Sequence, residues 1–219
     1  MALTRRQLIS TGILSGLAAG GGLGIVYARR RLDDGDAVAK FGAGGPDTAL
    51  NAWLRIGTDG RIICGVHRAE MGQGVTTSLP MLLAEELDAD WRQVSYEFTP
   101  VDRDYYNFGI LLGGRPLGAT EGRFWAGVGT GVIREVFHQL GMGLTIGSSS
   151  TIDAWDTLRL AGAEARGLLD AAAAARWAVP AGRLRTAASI VTDPETGRTA
   201  SYGELAADAA GQRPTGKRS

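Results

Sequence analysis

Residues 61–88, RIICGVHRAEMGQGVTTSLPMLLAEELD, predict the central structural unit of this chain. It begins with a short apolar run, passes through Glu70-Met71-Gly72-Gln73-Gly74, and continues with leucines at helical spacing. This order predicts a strand, a glycine-rich turn and a helix over about residues 75–88, with Pro80 tolerated in the first turn.

The sequence on either side of this unit predicts further strands. Residues 51–56 and 61–66 are apolar runs around Thr58-Asp59-Gly60, whose Asp-Gly favours a tight turn, so they predict a β-hairpin. A third strand is expected at residues 94–98. Residues 99–120 contain Pro, Gly and Asn without a sustained period, and this pattern predicts a long functional loop.

The second half of the chain is mainly helical. A Gly-interrupted helix is expected over about residues 123–140 and a longer one over residues 153–177. Residues 189–205 predict a small hairpin, with its turn at residues 193–197, and the start of a further helix. One stripe of the long helix has the spacing of ordinary core packing; it consists of Trp155, Leu158, Gly162, Ala165 and Leu169. The mixture predicts an α+β fold of mixed sheet hairpins and packed helices, rather than a doubly wound parallel sheet.

Composition narrows the functional classes. The chain has 219 residues, 44% hydrophobic and 21% charged, which is typical of one soluble domain or two small ones and excludes disordered, collagenous and multi-span membrane proteins. Residues 1–31 hold five arginines and no acid, which leaves 18 basic against 23 acidic side chains elsewhere. This mildly acidic body argues against nucleic acid as a partner.

The scarcity of metal ligands is equally informative. Cys64 is the one cysteine, and His67 and His138 are the two histidines. A zinc site or iron–sulfur cluster built from protein ligands is therefore not expected, and redox chemistry requires a separate cofactor. The Cys64-x-x-His67 spacing has no second pair of ligands, and His138 is interpreted as a surface or core residue.

The N-terminal segment predicts export. Residues 7–28 are uncharged, contain six glycines and lie between Arg5-Arg6 and three arginines at 29–31. As a helix they would be about 33 Å long, enough to cross a bilayer. The twin arginines before a weakly apolar stretch resemble a twin-arginine export signal. Ala37-Val38-Ala39 offers a cleavage site; an uncleaved inner-membrane anchor and a buried glycine-rich helix are the alternatives.

These patterns divide the chain into four predicted parts. Residues 1–39 are the signal or anchor, and residues 40–49, within a Gly/Asp/Ala-rich stretch, are a flexible linker. Residues 50–210 form the folded domain, and residues 211–219 are an aberrant tail.

Two segments are candidate ligand sites. In Gly72, Gln73 and Gly74 the glycines permit close approach of the backbone, the glutamine offers a donor and an acceptor, and the next helix adds a positive dipole. The alternative is a purely structural turn. Gly147, Ser148, Ser149 and Ser150 with Thr151 precede the long helix, where hydroxyls and amides suit a phosphate; the alternative is a polyserine cap. Ser150 and Asp153 have capping-box spacing.

Together these segments resemble a known family. Residues 67–75, HRAEMGQGV, then 79–88, LPMLLAEELD, and Asp90-Trp91 are similar to the molybdopterin-binding large subunit of bacterial aldehyde dehydrogenases of the isoquinoline 1-oxidoreductase β-subunit type, within the xanthine dehydrogenase family. The similarity continues through residues 147–151, 155–166 and 202–206, and covers about residues 50–210.

The resemblance implies a molybdenum centre that oxidises aldehydes or N-heterocycles with water as the oxygen source. The cofactor would be molybdopterin, as its cytosine dinucleotide, with Gln73 near the pterin or metal end and residues 147–150 at the phosphate or nucleotide end. Implied partners are an iron–sulfur small subunit, a cytochrome c acceptor and the remaining large-subunit domains. Periplasmic members are exported with the cofactor loaded, in agreement with the N-terminal segment.

The chain departs from the family in two places. Ile146 replaces a second glycine before the serines, and the C-terminal region with the family's catalytic glutamate has no counterpart here. The expectation is therefore an N-terminal part that is inactive alone, without a catalytic residue of its own; Glu85 and Glu86 are interpreted as helix-face charges. The alternative is a membrane-anchored, non-catalytic binding or assembly module.

Overall fold

The computed structural model describes residues 41–42, 46–107, 109, 138, 141 and 143–212. Several predicted parts of the chain lie wholly or mostly outside the described residues. They are the export segment at 1–39, most of the linker's first half, the helix at 123–140 apart from His138, and most of the tail at 211–219.

A four-stranded mixed sheet forms the first layer. Its strands are β1 (Thr48–Asn51), β2 (Leu54–Ile56), β3 (Ile62–Val66) and β4 (Val94–Phe98), in that spatial order. β2 and β3 are antiparallel and confirm the predicted hairpin, with Gly60 at a φ of 84° in the turn. β1 was not predicted, and it begins at Thr48, inside the range assigned to the linker.

β3 and β4 pair in parallel, which requires a crossover between them. The crossover is α1 (Val75–Leu87), so the predicted strand, turn and helix are confirmed. Pro80 differs from its prediction, because it lies in the interior of α1 rather than in the first turn. The connection places the glycine loop beyond the carboxyl end of β3, after residues 67–71.

The long helix α2 (Ser150–Trp177) packs across α1 and completes the core. Gly162 permits the close approach, since a Cβ there would lie 2.4 Å from the carbonyl oxygen of Leu83. The predicted stripe is correct except at Trp155, which is 47% exposed. Ala154, four residues before Leu158, occupies the inner position in its place.

A small antiparallel sheet ends the domain. It consists of β5 (Arg185–Ala187), β6 (Ile190–Thr192) and β7 (Thr199–Ser201), and is followed by α3 (Tyr202–Ala210). The hairpin and helix start were predicted, whereas β5 was not. The Tyr202 hydroxyl donates to the carbonyl oxygen of Leu87, which ties α3 to the end of α1.

The described fold is the predicted α+β mixture of sheets and packed helices. Among the described residues no helix has both the length and the apolar character needed to cross a membrane. The predicted N-terminal apolar helix is not among those residues.

Candidate functional site

A cleft of about 500 Å³ opens at the carboxyl ends of the parallel strands β3 and β4. In sheets with parallel strands, this end is where ligands generally bind. One wall is the segment that follows β3, another is the segment that follows β4, and a third contains Gly143 and Thr145. The cleft therefore borders both the start of the glycine loop and the approach to the serine segment.

Arg68, between β3 and the glycine loop, is the largest fully buried side chain among the described residues. Its guanidinium donates to the carbonyl oxygens of His67 at 2.9 Å, Tyr105 at 3.0 Å and Tyr106 at 2.9 Å. It also donates to Oδ2 of Asp153 at 2.5 Å. Burial lowers the pKa of Arg68, and the adjacent Asp153 carboxylate opposes that shift.

The Arg68–Asp153 ion pair joins the two predicted cofactor segments. Arg68 precedes the glycine loop by a few residues, and Asp153 is in the first turn of α2, immediately after the serines. A second link is the hydrogen bond from the Ala69 amide to the Thr145 hydroxyl, at 2.9 Å. Segments about 75 residues apart in sequence are thus neighbours in the fold.

The Gly72-Gln73-Gly74 loop is held by side chains of its own segment. Gly72 and Gly74 have φ values of 95° and 81°, which favour glycine, and a Cβ on either would meet no atom within 4 Å. The Gln73 side chain accepts from the Met71 amide at 2.5 Å and donates to the Ala69 carbonyl oxygen at 2.7 Å. Its second amide hydrogen is left for a ligand.

The Glu70 carboxylate occupies the amides at the start of α1. Oε1 accepts from the amides of Gly72 at 2.8 Å and Gly74 at 3.0 Å, and Oε2 accepts from the Thr76 amide at 3.2 Å and hydroxyl at 3.1 Å. The hydrogen bonds from the Gly74 and Thr76 amides, with smaller contributions from Gly72 and the Thr76 hydroxyl, lower the pKa of Glu70 to about 2. This loop already holds an anion, so it suits a neutral ligand group better than a phosphate.

We expect Glu70→Gln to loosen this loop. A neutral amide is a weaker acceptor than a carboxylate beside a helix N-terminus, so the amides of Gly72, Gly74 and Thr76 should exchange their hydrogens several-fold faster. Because the pKa is lowered, the stabilisation is complete above about pH 4.5 and is lost only as the pH falls towards about 2.

Amide hydrogen exchange at neutral pH measures this effect. The control is Glu204→Gln, because Glu204 also accepts from an amide at a helix N-terminus, that of Ser201 on α3, and its replacement should leave exchange in the glycine loop unchanged. Unchanged exchange in the Glu70 variant would show that its carboxylate does not hold the loop.

The serine segment offers a different environment. Gly147 and Ser148 are exposed, with φ values of 65° and 54°, and a Cβ on Gly147 would meet no atom within 4 Å. Ser149 is buried; its hydroxyl donates to the carbonyl oxygen of Ile146 at 2.6 Å and accepts from the Asn107 side chain at 2.8 Å. Of the predicted contact residues, Ser149 is therefore held by protein groups, and Ser150, the first residue of α2, is also buried.

The predicted Ser150–Asp153 capping box is wrong. The N-cap of α2 is Ser149, which makes no side-chain cap bond, and Asp153 instead binds Arg68 and accepts from the Gly109 amide. The first amides of α2 are thus left without a capping side chain, and the Asp153 charge is compensated by Arg68. Both features suit an anion at this helix start.

Two curated proteins match part of this chain. No protein-family model matches the chain. The isoquinoline 1-oxidoreductase subunit beta of Brevundimonas diminuta is 36% identical over 157 residues, which are 72% of this chain and 16% of that protein. Over this region the chain is related to the molybdopterin oxidoreductase family. The membrane-bound aldehyde dehydrogenase (pyrroloquinoline-quinone) of Gluconacetobacter polyoxogenes is 26% identical over 155 residues, 71% of this chain and 15% of that protein.

The family resemblance drawn from residues 67–91 and 147–166 is thereby confirmed. The chain spans about one sixth of the length of these two curated relatives. The matched region therefore corresponds to only a small part of each relative.

Other candidates in the oxidoreductase-related region have structural roles. Cys64 is buried in the core, and burial raises the pKa of its thiol to about 12. His67 packs edge-to-face on Trp53 at a centroid distance of 4.7 Å; burial, and secondarily Arg68, lowers the pKa of His67 well below its ordinary value. Among the described residues, no group of three or more potential ligands could hold a metal.

Some charged residues have the roles that the sequence predicted, and others do not. Glu86 pairs with Arg159 of α2 and is a helix-face charge, as predicted. His138 contacts Oδ1 of Asp104 at 2.8 Å through Nε2. Arg68, Glu70 and Asp153 were missed as organising residues of the site. A signal existed only for Glu70, an acid just before a helix N-terminus.

Proposed function

We propose that this chain is the N-terminal part of the large subunit of a molybdenum hydroxylase that oxidises aldehydes or N-heterocycles with water as the oxygen source. The names of the two relatives support an oxidoreductase of this class, since one refers to isoquinoline and the other to an aldehyde. The observation that carries the proposal is the joining of the two candidate segments beside one cleft by Arg68, Asp153 and Thr145.

The residues present fit a cofactor with a neutral head and an anionic tail. The uncapped start of α2, with the exposed Gly147 and Ser148, would hold the phosphate. In the glycine loop the amides are already bound by Glu70, and the second amide hydrogen of Gln73 would bind the pterin end. We infer molybdopterin, as the cytosine dinucleotide, for this place. When bound, it would supply the two-electron oxidation of the substrate; the protein's part is to bind and orient it.

The proposal assigns no catalytic residue to this chain. The described part of the site supplies hydrogen bonds and charge compensation. Its acids bind other protein groups: Glu70 accepts from backbone amides, Asp102 accepts from the Asp104 amide and Asp153 pairs with Arg68. The proposed partners are the remaining large-subunit domains, an iron–sulfur small subunit and a cytochrome c acceptor.

Cofactor analysis of the purified chain tests the proposal. Molybdenum, pterin and pyrroloquinoline quinone are each measured after expression in a host that makes all three, because the name of one relative contains the quinone. Molybdenum and pterin in equal amounts support the proposal. The quinone without molybdenum contradicts it, and the absence of all three favours the non-catalytic binding or assembly module.

We expect the isolated chain to show no aldehyde or heterocycle oxidase turnover. The reason is that the chain spans only about one sixth of the length of the two relatives, and no catalytic residue is assigned among its described residues. A dye-reduction assay on the purified chain measures this, with a complete relative as the positive control. Turnover in the absence of every partner would identify the chain as an enzyme in its own right.

Export is the proposed route to the periplasm or the inner membrane. Replacing both Arg5 and Arg6 by Lys is expected to leave the protein in the cytoplasm, because the twin-arginine route depends on that pair. Cell fractionation measures the distribution, and replacing Arg29 and Arg30 by Lys is the matched control. Equal periplasmic or membrane recovery of the Arg5/Arg6 variant and the wild type would contradict the signal and favour a plain anchor.

A further inference from the structure

We propose that the buried Arg68–Asp153 ion pair is a positioning device that sets the distance between the glycine loop and the start of α2, so that both can contact one cofactor. The inference rests on the proposed function and adds two positioning residues to it. Neither residue needs to touch the cofactor for this role.

The contacts of Arg68 join three separate parts of the chain. Its guanidinium binds the carbonyl oxygen of His67 after β3, those of Tyr105 and Tyr106 after β4, and Asp153 on α2. A planar guanidinium fixes the directions of its hydrogen bonds, which neither an ammonium group nor an apolar side chain does. The carboxylate of Asp153 extends the linkage, since Oδ1 accepts from the Gly109 amide at 2.9 Å.

Stability alone does not account for this pair. Its side chains are 0% and 11% exposed, so both charges are removed almost completely from water. Burying an ion pair is costly, and apolar residues of similar volume often give equal or greater stability. In the described structure the Nε of Arg68 also lacks a hydrogen-bond partner. What the pair adds is a fixed geometry between the two segments that flank it.

The experiment compares Arg68→Lys with Arg183→Lys. Arg183 lies just before β5 and is 24% exposed; it pairs with Asp193, whose buried side chain follows β6, and with Glu195, and has no described contact with either segment. Lysine keeps the charge at each position and removes the planar donor set. The readouts on the full chain are the thermal midpoint, amide hydrogen exchange without cofactor, and molybdenum per folded chain.

We expect Arg68→Lys to speed exchange several-fold at the hydrogen-bonded amides of both residues 72–74 and residues 149–153, and to lower the molybdenum content about tenfold. Arg183→Lys should leave the exchange at both segments and the molybdenum content unchanged, even if it lowers the thermal midpoint as much as Arg68→Lys does. If Arg68→Lys fails to fold, Asp153→Asn replaces it with the same expectation, because asparagine retains an acceptor for Gly109.

Faster exchange in one segment only, or in neither, would overturn the inference, as would equal losses in the Arg183 variant. A wild-type chain without molybdenum, combined with joint loosening of both segments in Arg68→Lys, would refute the proposed cofactor but support the positioning role. The two proposals therefore fail in different ways.

Discussion

Gly162→Ala is expected to lower the free energy of unfolding by about 3 kcal/mol. The new Cβ would lie 2.4 Å from the carbonyl oxygen of Leu83 and 3.2 Å from the Cβ of Glu86. The first of these atoms belongs to the backbone of α1, so no side-chain rotation relieves the contact and the two helices must separate. Urea denaturation followed by circular dichroism measures the loss.

The control is the same substitution five residues later on α2. A Cβ on Gly167 would meet no atom within 4 Å, so Gly167→Ala should raise the free energy of unfolding by about 0.5–1 kcal/mol through its helix propensity. Equal stability of the two variants would mean that α1 and α2 do not cross at Gly162.

Ser148→Asp should abolish cofactor occupancy at micromolar cofactor. If the bound phosphate excludes water from the exposed Ser148, a carboxylate there costs about 2–5 kcal/mol, which corresponds to roughly 30-fold to several thousandfold in affinity. Ser148 has a φ of 54°, a conformation that Asp and Asn tolerate, so the backbone should not change. Ser148→Asn is therefore the uncharged control and should retain the cofactor.

Gln73→Ala should have a smaller effect than Ser148→Asp. It removes one ligand hydrogen bond and also the two contacts with Met71 and Ala69, for a loss of about 1–3 kcal/mol. Molybdenum content is measured after assembly with the remaining domains, with folding verified by circular dichroism. Equal content in wild type, Ser148→Asp and Gln73→Ala would mean that neither segment contacts the cofactor.

The sequence predicted correctly those elements whose formation depends on interactions between residues close in the chain. The hairpin around Asp59-Gly60 and the helix after Gly74 depend on turn chemistry and apolar periodicity, and both were found. β1 and β5 were missed because their sequences, TALN and RTA, contain a single β-branched residue each and no aromatic one. The Ser150–Asp153 spacing failed because tertiary pairing with Arg68 outweighed a local cap.

The site was predictable only where its backbone conformation is unusual. Gly72, Gly74 and Gly147 have positive φ values, and glycine in these positions is a local signal. Arg68 acts through a partner 85 residues away, so nothing in its own neighbourhood indicated its role. The buried Ser149 hydroxyl is likewise determined by Asn107, 42 residues earlier.

The burial of Cys64 gives the chain a practical advantage for labelling. Its thiol is fully enclosed, and the raised pKa leaves almost none of it as the reactive thiolate near neutral pH. A cysteine introduced at an exposed position therefore becomes the preferred site for a maleimide dye or a spin label. Pairs of such labels beside the glycine loop and the start of α2 would measure their separation in solution directly.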